Sequence, residues 1–152
     1  MAELVGRALA EAYVAAIENR DFDAIATLIA DVFVEEMPQS GERIRGKANH
    51  LAVLRAYPGG VGTVDPERGR LVGSEDRWVA TPSFTIQRIE GSGELYTYSG
   101  TALYPSGETW HLVAIAELRG PRVARITTWY GLPFEAPEWR APYVERIPSP
   151  SR

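Results

Sequence analysis

Apolar residues recur at helical spacing in three segments of the first part of the chain. From Glu3 to Asn19 they mark one face of an amphipathic helix, and that face would be buried. Asp21 can cap a second, short helix, because its carboxylate can accept backbone N–H groups left free in the first turn. A third stripe runs from Gly46 to Tyr57 and stops at Pro58-Gly59-Gly60. The pattern therefore predicts three helices.

The rest of the pattern is typical of strands. A short strand is predicted at Asp31–Met37, and Pro38-Gln39-Ser40-Gly41 ends it. Runs rich in β-branched and aromatic residues follow the third helix at Arg70–Gly73, Arg77–Glu90, Leu95–Tyr104, Thr109–Arg119 and Val123–Tyr130. The short connections between the later runs allow only antiparallel hairpins, because a parallel crossover needs about a dozen residues.

This order of elements predicts an α+β fold with three N-terminal helices packed on a strongly curved mixed or antiparallel sheet. A length of 152 residues is typical of one domain. We expect that domain to span residues 1–147. The Pro- and Ser-rich residues 148–152 are predicted to form a flexible tail.

Composition and charge narrow the range of functions. The net charge of −4, with cations scattered among acids, argues against nucleic-acid binding, which needs a basic patch. No apolar run reaches the length of a membrane span, and the first residues include an early acid and no basic region typical of a signal peptide, so we expect a cytoplasmic protein that does not contact membranes. There is no cysteine, and two histidines are too few for most zinc sites. We expect no metal and no cofactor.

The run Trp110–Ala116 is apolar at both strand parities. Both faces of this strand must then be covered, one by the helices and the other by something else. A second copy of the chain is the simplest cover, which predicts a homodimer through the outer face of the sheet. The alternative is that the C-terminal segment Leu132–Ile147 folds over that face.

Two segments carry a family resemblance. Asp31–Gly46, with its sequence PQSGERIRG, and the ending Ile126–Tyr130 resemble bacterial members of the SnoaL-like branch of the nuclear transport factor 2 superfamily. The resemblance covers nearly the whole chain. It implies a cone-shaped fold around an apolar pocket, commonly dimeric, but it does not imply one function, because the superfamily includes isomerases, cyclases, hydrolases, dehydratases and non-catalytic modules.

The acids of three known chemistries are missing at the positions that the resemblance assigns to them. The base of ketosteroid isomerases falls on Met37, and their protonated acid falls on Ala114. The charged residues of limonene epoxide hydrolase fall on Thr97, Ser99 and Thr128. The acid of aldol-type polyketide cyclases falls among Thr127, Thr128 and Trp129. The classical form of each reaction is therefore disfavoured.

Strand alternation predicts which side chains would face the pocket. Together with helix positions, it gives a predicted ligand-binding set of Ile17, Phe33, Met37, Leu54, Thr97, Ser99, Leu112, Ala114, Ala116, Ile126, Thr128 and Tyr130. This apolar lining with a few hydroxyls suits a small hydrophobic molecule.

Glu35 and Tyr13 are the predicted catalytic residues. Glu35 shares strand parity with Met37, and a carboxylate removed from water can work as an acid or base near neutral pH. The alternative is a salt bridge with Arg43 or Arg45 at the rim. Tyr13 would donate a hydrogen bond, unless it is a core aromatic.

Three further acid–base candidates are set aside. Glu36, at the opposite parity to Glu35, is expected to be solvated. His111 has outward parity, and His50 is expected to be exposed and inert at the start of the third helix.

The leading hypothesis is thus a small apolar-ligand-binding protein that acts as a cofactor-independent isomerase, cyclase or hydratase by proton transfer. The alternative is a non-catalytic ligand-binding or dimerisation module.

Overall fold

The computed structural model describes residues 2–56, 83–103 and 107–147. The predicted strand at Arg70–Gly73, the start of the run at Arg77–Glu90, Tyr57 and the predicted tail at 148–152 lie outside the described residues. None of the described helices is long and apolar enough to span a membrane.

The three predicted helices are present. They are α1 at Gly6–Glu18, α2 at Phe22–Leu28 and α3 at Lys47–Ala56. The cap of α2 is also as predicted, because the Asp21 carboxylate accepts a 2.9 Å hydrogen bond from the backbone N–H of Ala24.

The sheet has six strands, in the order β2-β1-β6-β5-β4-β3. They are β1 at Ile29–Met37, β2 at Glu42–Arg45, β3 at Ser83–Ser92, β4 at Leu95–Leu103, β5 at Thr109–Arg119 and β6 at Arg122–Gly131. β3 to β6 form the predicted antiparallel meander. β1 joins β6 in parallel, so the sheet is mixed. The short strand β2, which pairs antiparallel with β1, was not predicted.

The helices cover one face of the sheet, and the core lies between these two layers. Leu9 of α1, Ile25 of α2 and Phe33 of β1 are almost completely buried there. On β5 the predicted alternation is confirmed, since Leu112 is buried while Val113 is exposed.

On β4 the predicted alternation is wrong. Tyr98 is buried, whereas Thr97 is exposed and Ser99 is only half-buried. Tyr98 lies directly opposite Ala114 of β5, and directly opposite residues in a sheet share a face. A shift of one residue in the assumed register moves every side chain of a strand to the other face.

The C-terminal segment does not bury its apolar side chains against its own subunit. It contains a 3₁₀ helix at Glu138–Tyr143, and Phe134, Trp139 and Tyr143 are each more than 70% exposed. The outer face of the sheet also stays open, since Val113 is 43% exposed. The alternative in which Leu132–Ile147 covers this face is therefore not what the structure shows.

Candidate active site

A cavity of about 100 Å³ lies between the helices and the inner face of the sheet. All three helices and all six strands contribute side chains to its wall. The wall consists of Tyr13, Ile17, Arg20, Phe22, Ile25, Glu35, Met37, Ile44, His50, Val53, Leu54, Ile86, Tyr98, Leu112, Thr128 and Tyr130. Most of these side chains are aliphatic or aromatic, so the few ionisable groups stand in largely apolar surroundings.

Glu35 and His50 form a pair in this wall. Oε2 of Glu35 on β1 lies 2.8 Å from Nδ1 of His50 on α3. The side chains are 16% and 5% exposed, respectively. The N–H direction at Nδ1 falls short of a well-aligned hydrogen bond, so the two groups are in close contact without a hydrogen bond of good geometry. The structure thus brings together a carboxylate and an imidazole, the two side chains most often used for proton transfer.

The position of His50 contradicts the prediction that it is exposed. Its residue exposure is 4%, and its ring lies against Phe33 with centroids 4.6 Å apart. The backbone N–H of His50 bonds to the carbonyl of Gly46 at 3.1 Å, which starts α3 immediately beside the β2 strand. His50 and Leu54 are four residues apart and both face the pocket, as expected for one side of a helix. That spacing was the sequence signal for a pocket histidine.

Glu35 does not make the salt bridge with Arg43 or Arg45 that was the alternative. Arg43 instead lies 3.3 Å from Glu36, which points to the other face of β1. Glu36 also lies 2.9 Å from Arg125 of β6 and is 24% exposed, so it is ion-paired rather than fully solvated.

Two buried tyrosines face the same cavity. Burial raises the pKa of the Tyr13 hydroxyl well above its ordinary value, and the nearby Tyr98 and the negative charge of Glu35 raise it further. Burial, followed by the charge of Glu35, raises the pKa of Tyr98 in the same direction. Both phenols therefore keep their protons and can donate hydrogen bonds inside the pocket.

The predicted site residues fall into three groups. Eight of them line the cavity, namely Tyr13, Ile17, Glu35, Met37, Leu54, Leu112, Thr128 and Tyr130. Four are packed in the core and are not part of the cavity wall, namely Phe33, Ala114, Ala116 and Ile126. Thr97 and Ser99 are on the outer side of β4, so their predicted place in the pocket is wrong.

Sequence reasoning missed four notable parts of the wall. Tyr98 was lost with the register of β4, and Ile44 belongs to the unpredicted strand β2. Arg20 and Phe22 come from the junction between α1 and α2. Tight junctions of this kind carry no periodic signal, so the direction of their side chains is set by the packing of the two helices.

No group of three or more His, Asp or Glu side chains is placed to hold a metal ion in the parts of the chain that the structure describes. The ionisable part of the pocket is instead made of Glu35, His50 and Arg20, with the neutral phenols beside them.

Comparison with known proteins gives the family. The model of the SnoaL-like domain matches residues 10–129. The chain belongs to the SnoaL-like family. This SnoaL-like chain is 32% identical to a nuclear transport factor 2-like protein of unknown function from Burkholderia xenovorans, with 93% of this chain and 94% of that chain covered and a TM-score of 0.69.

Two further solved structures resemble this SnoaL-like chain. One is a protein from Kribbella flavida provisionally assigned as a ketosteroid isomerase. It is 26% identical to this chain, the alignment covers 95% of this chain and 90% of that chain, and the TM-score is 0.73. The other is an epoxide hydrolase from M. tuberculosis, which is 20% identical to this chain. The alignment covers 80% of this chain and 79% of that chain, and the TM-score is 0.56. The second likeness shows the fold alone. Among curated proteins, none matches this chain significantly.

Proposed function

We propose that this protein binds a small, mostly apolar carbonyl compound in the cavity and moves a proton on it without a cofactor. Glu35 is the acid–base group, His50 positions its carboxylate, and Tyr13 donates a hydrogen bond to the substrate oxygen. The observation that carries the proposal is the contact between Glu35 and His50 in the wall of an otherwise largely apolar cavity.

The geometry favours chemistry next to a carbonyl group. Removing a proton from the carbon beside a carbonyl leaves negative charge on the carbonyl oxygen, and fixed hydrogen-bond donors stabilise that charge. Tyr13 and Tyr98 are such donors, because their raised pKa values keep them protonated. Glu35 would take the proton from one carbon and return it to another in an isomerisation. In a cyclisation, the same carbanion would attack a second carbonyl of the substrate.

The likeness to the Kribbella flavida protein supports this interpretation, although Glu35 does not stand at the position that the family resemblance assigns to the isomerase base. The resemblance assigns the isomerase base to Met37, whose thioether cannot abstract a proton. Glu35 precedes it by two residues on the same strand face, and both line the cavity. Two residues of a strand span about 7 Å. A substrate in this pocket would therefore present its reactive carbon at a different place along β1.

A test reaction is the conversion of a β,γ-unsaturated cyclohexenone into its conjugated isomer. The single ring suits the cavity, and the product is detected by its ultraviolet absorbance. We expect Glu35→Gln to lower the rate by at least about a hundredfold, since general-base catalysis contributes about 10²–10⁴. Binding of cyclohexanone, measured by NMR titration, should change little.

Glu36→Gln is the matched control, because it removes the neighbouring carboxylate on the opposite face of β1. It should keep the rate of the unmodified protein. Equal rates for Glu35→Gln and the unmodified protein would rule out the proposed role of Glu35. Binding of cyclohexanone without any turnover would favour the alternative, a non-catalytic binding module. The replacement of the family's acids by Met37, Ala114 and Thr128 supports that alternative.

We further propose that the protein is a homodimer through the outer face of the sheet. Val113 and Trp129 lie opposite each other on β5 and β6, and they are 43% and 38% exposed. Exposed apolar side chains on adjacent strands are typical of an interface. Sedimentation should show a dimer that Val113→Lys converts to a monomer. The control Val5→Lys, at an exposed valine before α1, should leave the dimer intact; a monomeric unmodified protein would exclude this interface.

A further inference from the structure

Arg20, just after α1, has a left-handed backbone conformation that is usually adopted by glycine. Its φ is +53°, and it is the one non-glycine residue with positive φ in the described parts of the chain. The N–H of Arg20 bonds to the carbonyl of Ile17 at 3.1 Å, and the N–H of Asp21 bonds to that of Ala16 at 2.9 Å. These two bonds define the Schellman motif, in which glycine is the usual residue at the position of Arg20. The chain carries an arginine where glycine would cost less strain.

The side chain at this strained position lines the cavity. Arg20 is half-buried, and this burial lowers the pKa of its guanidinium from the ordinary value. It belongs to the same cavity wall as Glu35 and His50. Strained residues that persist in a fold tend to occur where a function uses their side chains.

A purely structural role explains only part of this arrangement. A cation after the last turn of a helix interacts favourably with the helix dipole. An exposed side chain would serve that purpose without entering the cavity. The position of Arg20 in the wall adds a cationic residue to a largely apolar lining.

We propose that Arg20 binds a carboxylate group of the substrate, so that the substrate class is a small apolar carbonyl compound that also carries a carboxylate. The guanidinium presents several N–H donors in a planar fork that matches the two oxygens of a carboxylate. Because it has five such donors, it can bind a ligand while it keeps a contact within the protein. This inference rests on the proposed function of the cavity.

The test compares two probes of nearly the same shape: phenylacetate, whose carboxylate is charged, and phenylacetamide, whose amide is neutral. Both have a single ring, and their affinities are measured by NMR titration. Replacing Arg20 by Gly or by Gln should weaken phenylacetate binding by about tenfold, the effect of a half-exposed charge-assisted hydrogen bond. Phenylacetamide binding should change by less than about twofold. Arg7→Gln, which removes an exposed arginine of α1 paired with Glu11, should leave both affinities unchanged.

The melting temperature separates loss of ligand contact from damage to the fold. Arg20→Gly should still unfold in one cooperative transition and should melt above Arg20→Gln, because both variants lose the guanidinium and only glycine relieves the positive φ. An unchanged ratio of the two affinities in Arg20→Gly and Arg20→Gln would overturn this proposal while leaving the cavity as a binding site. Failure of both probes to bind the unmodified protein would overturn this proposal and the proposed function together.

Discussion

Alkaline pH should unfold this protein through Tyr13 and Tyr98. Both tyrosines are at least 94% buried and keep their protons in the folded protein because their pKa values are raised. In the unfolded chain the same phenols ionise near their ordinary value of about 10. The folded state therefore binds more protons than the unfolded state above that pH. Their contribution to stability is fully present below pH 10 and is lost as the pH rises toward the raised pKa values.

The size of the effect follows from this difference. At pH 12, ionisation of one phenol in the unfolded chain alone lowers the free energy of unfolding by about 2.7 kcal/mol. Two tyrosines together give about 5 kcal/mol, which is comparable to the whole stability of a typical domain. The protein should therefore lose most of its stability between pH 10 and pH 12.

Urea unfolding at several pH values, followed by circular dichroism, measures this loss. Tyr13→Phe and Tyr98→Phe should each reduce the slope of stability against pH by about 1.4 kcal/mol per pH unit in this range. Tyr143→Phe is the control, because Tyr143 is 84% exposed and its replacement should leave the slope unchanged. If Tyr13→Phe loses stability as steeply as the unmodified protein, Tyr13 is not a buried, protonated donor and the reasoning fails.

Two further predictions concern the frame that holds the site. Gly91→Ala should destabilise the protein by more than about 2 kcal/mol in thermal unfolding, because φ is +135° and a Cβ there would lie 2.2 Å from the backbone oxygen of Leu95. The control Gly93→Ala should cost only about 1 kcal/mol, because a Cβ at Gly93 would meet nothing within 4 Å. Equal losses of stability in the two variants would contradict the close backbone approach in the turn between β3 and β4. Asp21→Ala should lower the free energy of unfolding by about 1 kcal/mol, measured by urea unfolding, because it removes the acceptor for the Ala24 N–H; an unchanged value would show that this cap does not stabilise α2.

The parts of the fold that could be predicted are those in which one face of an element is distinctly apolar. β5 illustrates this, because its bounds at Thr109–Arg119 and the inward direction of Leu112 were both predicted correctly. β4 was harder, since Tyr98 and Thr97 are both common in strands and the neighbouring turn decides which one faces inward. The four-residue strand β2 is too short to show alternation.

The residues of the candidate site also differ in whether the sequence pattern alone predicts their positions. Glu35 could be predicted because a charged residue at an inward position of a strand stands out against its neighbours. The spacing between His50 and Leu54 places His50 on the pocket side of α3, but its contact with Glu35 could not be predicted, because that contact depends on how α3 packs across β1 and joins residues 15 positions apart in sequence. The same holds for Arg20, whose direction is fixed by the turn after α1.

The central claim is that Glu35 and His50 act as one unit inside the pocket, and NMR of the histidine side-chain nitrogens tests it most directly. The chain has two histidines, so His111, exposed on the outer face of β5, is an internal reference. Glu35→Gln and saturation with cyclohexanone should each shift the ring nitrogens of His50 and leave those of His111 in place. His50 resonances that respond to neither change would contradict the account.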